Sequence, residues 1–103
     1  MQTLPPPNAP NALATHPVGM VRAEDAAWFE DLLLEALART TADLHIDLRD
    51  VEFMDGAGVR VLAEIAARLS VDGHLLILHA PAYVVERALA ELLPDGPVRI
   101  YRA

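Results

Sequence analysis

A chain of 103 residues with a formal charge of −7 and no cysteine has room for one domain and one core, and excludes disulfides, a thiolate nucleophile and cysteine-bound zinc. Its 53% apolar content excludes disorder for most of the length, and no apolar run reaches the roughly 18–20 residues that span a bilayer. All eight basic residues are arginine and are dispersed, so nucleic acid is repelled rather than steered, because phosphate contacts supply most non-specific affinity.

Residues 1–11 are rich in proline and read as a flexible arm. They lack the basic start and apolar run of a signal peptide, so a cytoplasmic address is expected. Residues 12–103 form the single domain. Residues 17–21 suit a short edge strand, since proline is tolerated at a sheet edge. Glu24 and Asp25 place negative charge where a helix start favours it. Phe29, Leu32, Leu33, Ala36 and Leu37 then recur at helical spacing and predict a first helix with one core-facing stripe. Trp28, beside that stripe, reads as a ring sealing the core edge.

Leu44, Ile46 and Leu48 alternate with His45 and Asp47, the period of a strand, and Val51, Phe53 and Met54 add apolar positions up to Asp55. A second helix is predicted over 57–69. Val61, Leu62, Ile65, Ala66 and Leu69 point inward, and Arg60, Glu64 and Arg68 are spaced to pair on the solvated side. Residues 71–73 make a turn, and 75–78 form an unbroken apolar run suited to a central strand buried on both faces. Pro81 fits the first turn of a third helix striped by Val84, Val85, Ala88, Leu89 and Leu92. The stop at 94–97 and a last strand at 98–101 complete the chain. This alternation predicts an α/β sandwich: a mixed sheet of about four strands, three main helices, and crossovers joining the parallel strands.

Signs of catalysis are sparse. His16, His45, His74 and His79 show neither an i, i+4 pair nor the H-x-E-x-H spacing of a zinc site, so no metal is expected. Asp47, Asp50, Glu52 and Asp55 gather carboxylates near the strand end, and paired carboxylates do acid–base work when burial separates their pKa values. No Ser-His pairing, catalytic lysine or Walker-type loop accompanies them. The expectation is therefore structural: Asp55 caps the second helix, Arg49 pairs with Asp50 or Asp55 at the surface, and the chain is no enzyme and needs no cofactor. The most informative turn is Asp55-Gly56-Ala57-Gly58. It sets small residues and free backbone N–H groups at a helix start, which attracts anions and permits close approach of another chain.

The segments His45-Ile46-Asp47-Leu48, Val51-Glu52-Phe53-Met54-Asp55 and Gly58-Val59-Arg60-Val61-Leu62, with the strand at 73–78 and helix at 81–93, resemble the STAS domain. That is the fold of anti-sigma factor antagonists, and the likeness spans about residues 23–102. The family's N-terminal G-x-L-D motif is reduced here to Gly19. Members usually carry D-S-x-G or D-T-x-G, whose hydroxyl is phosphorylated by a partner that is both kinase and anti-sigma factor. The added charge releases the complex. Here that position is Gly56, followed by Ala57, and neither accepts a phosphate.

The resemblance thus implies a non-enzymatic protein-binding module acting on sigma-dependent transcription without a chemical switch. It implies contact with an anti-sigma factor or histidine-kinase-like ATPase through Asp55, Gly56, Ala57, Gly58, Val59, Arg60 and Glu64, with a homodimer also open. Divergent members instead dock as accessory subunits on the ATPase of lipid-transport ABC systems. An exposed patch of Met54, Ala57, Val59 and Arg60 would serve either partner, unless Met54 and Val59 belong to the core. From the residues alone, a small nucleotide-binding domain using the glycine turn is the rival reading, although phosphate cradles normally carry more glycines or an adjacent lysine.

Overall fold

The computed structural model describes residues 15–92 and 97–102, so the arm at 1–11 and most of the stop at 94–97 lie outside the described residues. In chain order come β1 (Gly19–Val21), a 3-10 turn (Ala23–Asp25), α1 (Ala26–Ala38), β2 (Leu44–Asp47), β3 (Val51–Met54), α2 (Gly56–Val71), β4 (Leu76–His79), α3 (Tyr83–Leu92) and β5 (Val98–Tyr101). This is the expected α/β class. No helix among the described residues is long and apolar enough to cross a membrane.

The strands form two sheets, β1 with β3 and β2 with β4 and β5. β2 pairs with β4, and β4 with β5, setting Leu44 opposite Leu76 and Leu76 opposite Val98. Thr15 bridges to Ile46 of β2, and β1 pairs with β3, Gly19 opposite Val51 and Val21 opposite Met54. The segment from Thr15 to Val21 therefore runs beside β2 and then β3. β2 and β3 are joined by a tight turn in which the Val51 N–H donates to the Leu48 carbonyl at 3.1 Å. The pairing shifts register after Gly19, and Gly19 takes φ 102 there, a conformation that disfavours any side chain. The described strands number five, one more than the expected four. Every described pairing is parallel, in place of the mixed sheet the sequence predicts. The reason is connectivity: a helix lies between the two strands of every described pair, and such a crossover returns the chain in the same direction.

Period-two alternation divides the two faces of the sheet. Leu44, Ile46, Leu76 and Leu78 join the core with Phe29 and Leu33 of α1, Leu62 and Ile65 of α2, and Val85 and Leu89 of α3. Each such large side chain contributes about 1.5–3 kcal/mol on burial. His45, Asp47, Ile77, His79, Arg99 and Tyr101 occupy the intervening positions, on the opposite face. All four residues of β4 are buried, as expected of a central strand.

Several local expectations shift. Glu24 and Asp25 lie on the 3-10 turn rather than on α1 itself. The Asp25 carboxylate accepts the Arg22 N–H at 3.1 Å, and that backbone bond, with help from the Arg22 side chain, lowers its pKa. Trp28 keeps 47% of its surface exposed, its ring 6.3 Å from that of Phe29, so it overhangs the core edge without sealing it. Arg60, Glu64 and Arg68 form no ion pair with one another among the described residues. The i, i+4 pairs that do form are Arg39–Glu35 and Arg87–Glu91. Exposed pairs of this kind gain so little that their absence costs little. Ala80, between β4 and α3, sits at φ 54, which costs an alanine about 1–2 kcal/mol. It is held there by its N–H bond to the Tyr101 carbonyl at 2.7 Å.

Candidate partner-binding site

Asp55 ends β3 and opens α2, and both of its carboxylate oxygens are engaged. Oδ1 accepts the N–H of Ala57 at 2.9 Å and of Gly58 at 3.4 Å, the expected N-cap. Oδ2 accepts the Ala23 N–H at 2.9 Å, from a residue 32 positions earlier. The Asp55 N–H in turn donates to the Val21 carbonyl at 3.1 Å. One side chain therefore fixes the start of α2 and ties it to the segment leaving β1.

That geometry bears on the nucleotide reading. A phosphate at a helix start needs free N–H groups pointing at it. Here the donors of Ala57 and Gly58 already face the protein's own carboxylate, whose negative charge would also repel the ligand.

Gly58 faces inward. A Cβ on it would lie 2.6 Å from Met54 Cγ and 2.8 Å from Val21 Cγ1, so the missing side chain lets α2 rest directly on β1 and β3. Met54 and Val59 are 2% and 1% exposed, and both belong to the core. Their places in the proposed apolar patch are therefore corrected. Gly58 and Val59 offer no side chain to a partner, because the inward stripe of α2 begins with them. What remains at the surface is Arg60 and Glu64, exposed, with Asp55, Gly56 and Ala57 half-buried beside them. Gly56, Val59, Arg60 and Ala63 line a shallow depression of about 250 Å³. Gly56 is not among the described residues with positive φ, so the backbone there does not demand glycine.

The other carboxylates disperse. Asp47, 4% exposed, accepts the Arg49 N–H at 3.0 Å and its Nε at 3.2 Å. Arg49 thus pairs with Asp47 and not with Asp50 or Asp55, because the turn after β2 folds it back onto the strand end. Asp50 lies 2.7 Å from His16 Nε2, and Glu52 points to solvent. Asp47 and Asp50 both approach His16 Nε2, at 4.0 and 2.7 Å, while Asp55 is taken up by the start of α2. Among the described residues, no group of three or more His, Asp or Glu is placed to hold a metal ion.

Spacing along a single element gives no hint of the contact between His45 and His79, 34 residues apart, whose ring nitrogens meet at 2.8 Å. The available signal was register: both occupy outward positions of flanking strands.

The family model described as Mlab, STAS domain, matches residues 10–96, and the chain belongs to the STAS domain family. Among solved structures it is similar to the crystal structure of a proposed anti-sigma factor antagonist from Thermotoga maritima. The two are 27% identical with a TM-score of 0.72, the match covering 84% of this chain and 75% of that one. Among curated proteins there is no match.

Proposed function

We propose that this chain is a non-enzymatic STAS module of the anti-sigma factor antagonist kind, acting in the bacterial cytoplasm on sigma-dependent transcription. Its partner, an anti-sigma factor of the histidine-kinase-like ATPase type, docks on the corner of Asp55, Gly56 and Ala57 and on the adjoining Arg60 and Glu64. The observation that carries this reading is the chemistry of the corner. Gly56 stands where the family's phosphoacceptor would be, on a helix start whose aspartate already accepts three backbone N–H groups. Such a corner has a fixed shape and no hydroxyl to receive charge, so the module binds constitutively. Similarity to the Thermotoga maritima protein supports the antagonist class, and the depression beside Arg60 has room for a partner side chain.

Incubation with the cognate kinase and ATP, followed by intact-mass measurement, tests the missing switch. The wild-type chain is expected to gain no phosphate and to keep its partner, while Gly56→Ser gains one and releases it. Phosphate on residues 55–62 of the wild type would refute the proposal. In a separate titration, Arg60→Glu is expected to weaken partner binding by about tenfold or more, about 1.4 kcal/mol. Its urea midpoint should stay within about 0.5 kcal/mol of the wild type, because the side chain is solvated.

A second reading, an accessory subunit docked on a transporter ATPase, is favoured by the Mlab description of the matching family model. It uses the same corner and equally needs no hydroxyl. Recovery of a transporter ATPase, and no sigma regulator, by the wild-type chain but not by Arg60→Glu would select it.

A further inference from the structure

On the sheet face away from the helices, three rings from three strands meet. His45 Nδ1 of β2 and His79 Nε2 of β4 are 2.8 Å apart, their rings stacked at 24° with centroids 5.1 Å apart. Tyr101 of β5 meets His79 edge-on at 5.3 Å. His79 is 0% exposed, and its Nδ1 is buried with no hydrogen-bond partner. The backbone adds to the junction, the Leu48 N–H donating to the His79 carbonyl at 2.9 Å.

These contacts fix where the protons sit. A buried orphan lone pair costs less than a buried orphan N–H. His79 therefore carries its hydrogen on Nε2 and donates it to His45 Nδ1, while His45 keeps its own hydrogen on Nε2. A further proton finds no place. On His79 Nδ1 it would be a buried cationic N–H without an acceptor. On His45 Nδ1 it would set two N–H groups head to head and break the bond.

We propose that the His45–His79 pair is a proton-sensitive latch between β2 and β4, closed when both rings are neutral and opened by acidification. The charges around it are mixed. Asp43 ahead of β2 favours a proton on His45, and Asp47 of β2 favours one on His79. Arg49 opposes a proton on His79, as does His45 itself. From β5, the Tyr101 ring stands at 85° to that of His79, and Arg99 shares the face two positions earlier. From the N-terminal side, His16 lies 4.0 Å from the Asp47 carboxylate and binds Asp50. Burial outweighs the carboxylates, and both imidazoles have lowered pKa values. The unfolded chain thus binds more protons than the folded one below the ordinary histidine pKa of about 6.5. The latch's contribution is full above that pH and is lost as pH falls from there through the lowered pKa values of the folded pair. The folding constant drops by up to about tenfold per pH unit for each proton the folded state refuses.

Imidazole nitrogen NMR of the full chain, titrated from about pH 7.5 to about pH 5, tests this directly. His45 and His79 should remain neutral where the imidazole of an unstructured reference peptide has taken up its proton, with the His79 hydrogen on Nε2. Titration of both rings alongside the reference would overturn the latch. Urea midpoints over the same range give a second readout. The fall on acidification should shrink in the double variant His45→Val/His79→Val, and a pH dependence identical to the wild type also overturns it. Should that variant not fold, the wild-type NMR titration decides alone.

Discussion

Gly58→Ala is expected to lower folding stability by about 1–3 kcal/mol, the usual cost of overpacking, read as a fall of roughly 4–20 °C in Tm for a chain of this size. The sign is informative, because alanine is favoured over glycine inside a helix by up to about 1 kcal/mol. An open position would therefore show stabilisation. Position 58 is closed: the new methyl would sit 2.6 Å from Met54 Cγ and 2.8 Å from Val21 Cγ1. Methionine can swing aside, but valine is stiff about χ1, and Val21 is itself fully buried under the helix. Relief then requires the start of α2 to lift from β1, pulling on the Asp55 bond to Ala23. A midpoint that stays level or rises would show that the helix start is loosely seated. The fixed corner on which the proposed function depends would fall with it.

Much of this was legible because it is local. The stripe through Phe29, Leu33 and Ala36, the alternation at 44–48 and the apolar run of β4 each specify an element and its buried side from nearest neighbours. The inward turn of Val59 was legible in principle. It stands three residues before Leu62 and seven before Ala66, so the helical period carries it onto the same face. Features that depend on partners distant in the chain were not legible. Val51 to Met54 forms a strand because β1 lies beside it. Likewise, His45 and His79 look like ordinary alternating positions until register sets β2 against β4. Arg49 settles on Asp47 because a tight turn brings the two together, whereas in the sequence Asp50 is its nearest carboxylate.

Asp55→Ala is expected to cost about 2–3 kcal/mol, and the total divides into two parts that a second variant separates. Loss of an N-cap costs about 1 kcal/mol, here from the N–H groups of Ala57 and Gly58. The remainder comes from the Ala23 N–H, which loses a charged acceptor; a hydrogen bond to an ionised group contributes about 1.5–3 kcal/mol, toward the low end where water can replace it. Asp55→Asn keeps an oxygen for the cap but turns an NH2 toward Ala23, donor against donor, so it should lose only this second part, about 1–1.5 kcal/mol. Urea unfolding of the three proteins gives the order wild type, Asn, Ala. An Ala variant within about 0.5 kcal/mol of wild type would mean that the carboxylate is not structural and is free to meet a partner, which removes the basis for a rigid, switchless corner. The contrast with Arg60→Glu completes the argument. If the Asp55 carboxylate builds the corner on which the partner rests and Arg60 only touches the partner, losing Asp55 destabilises the module while reversing Arg60 leaves it as stable as before but unbound.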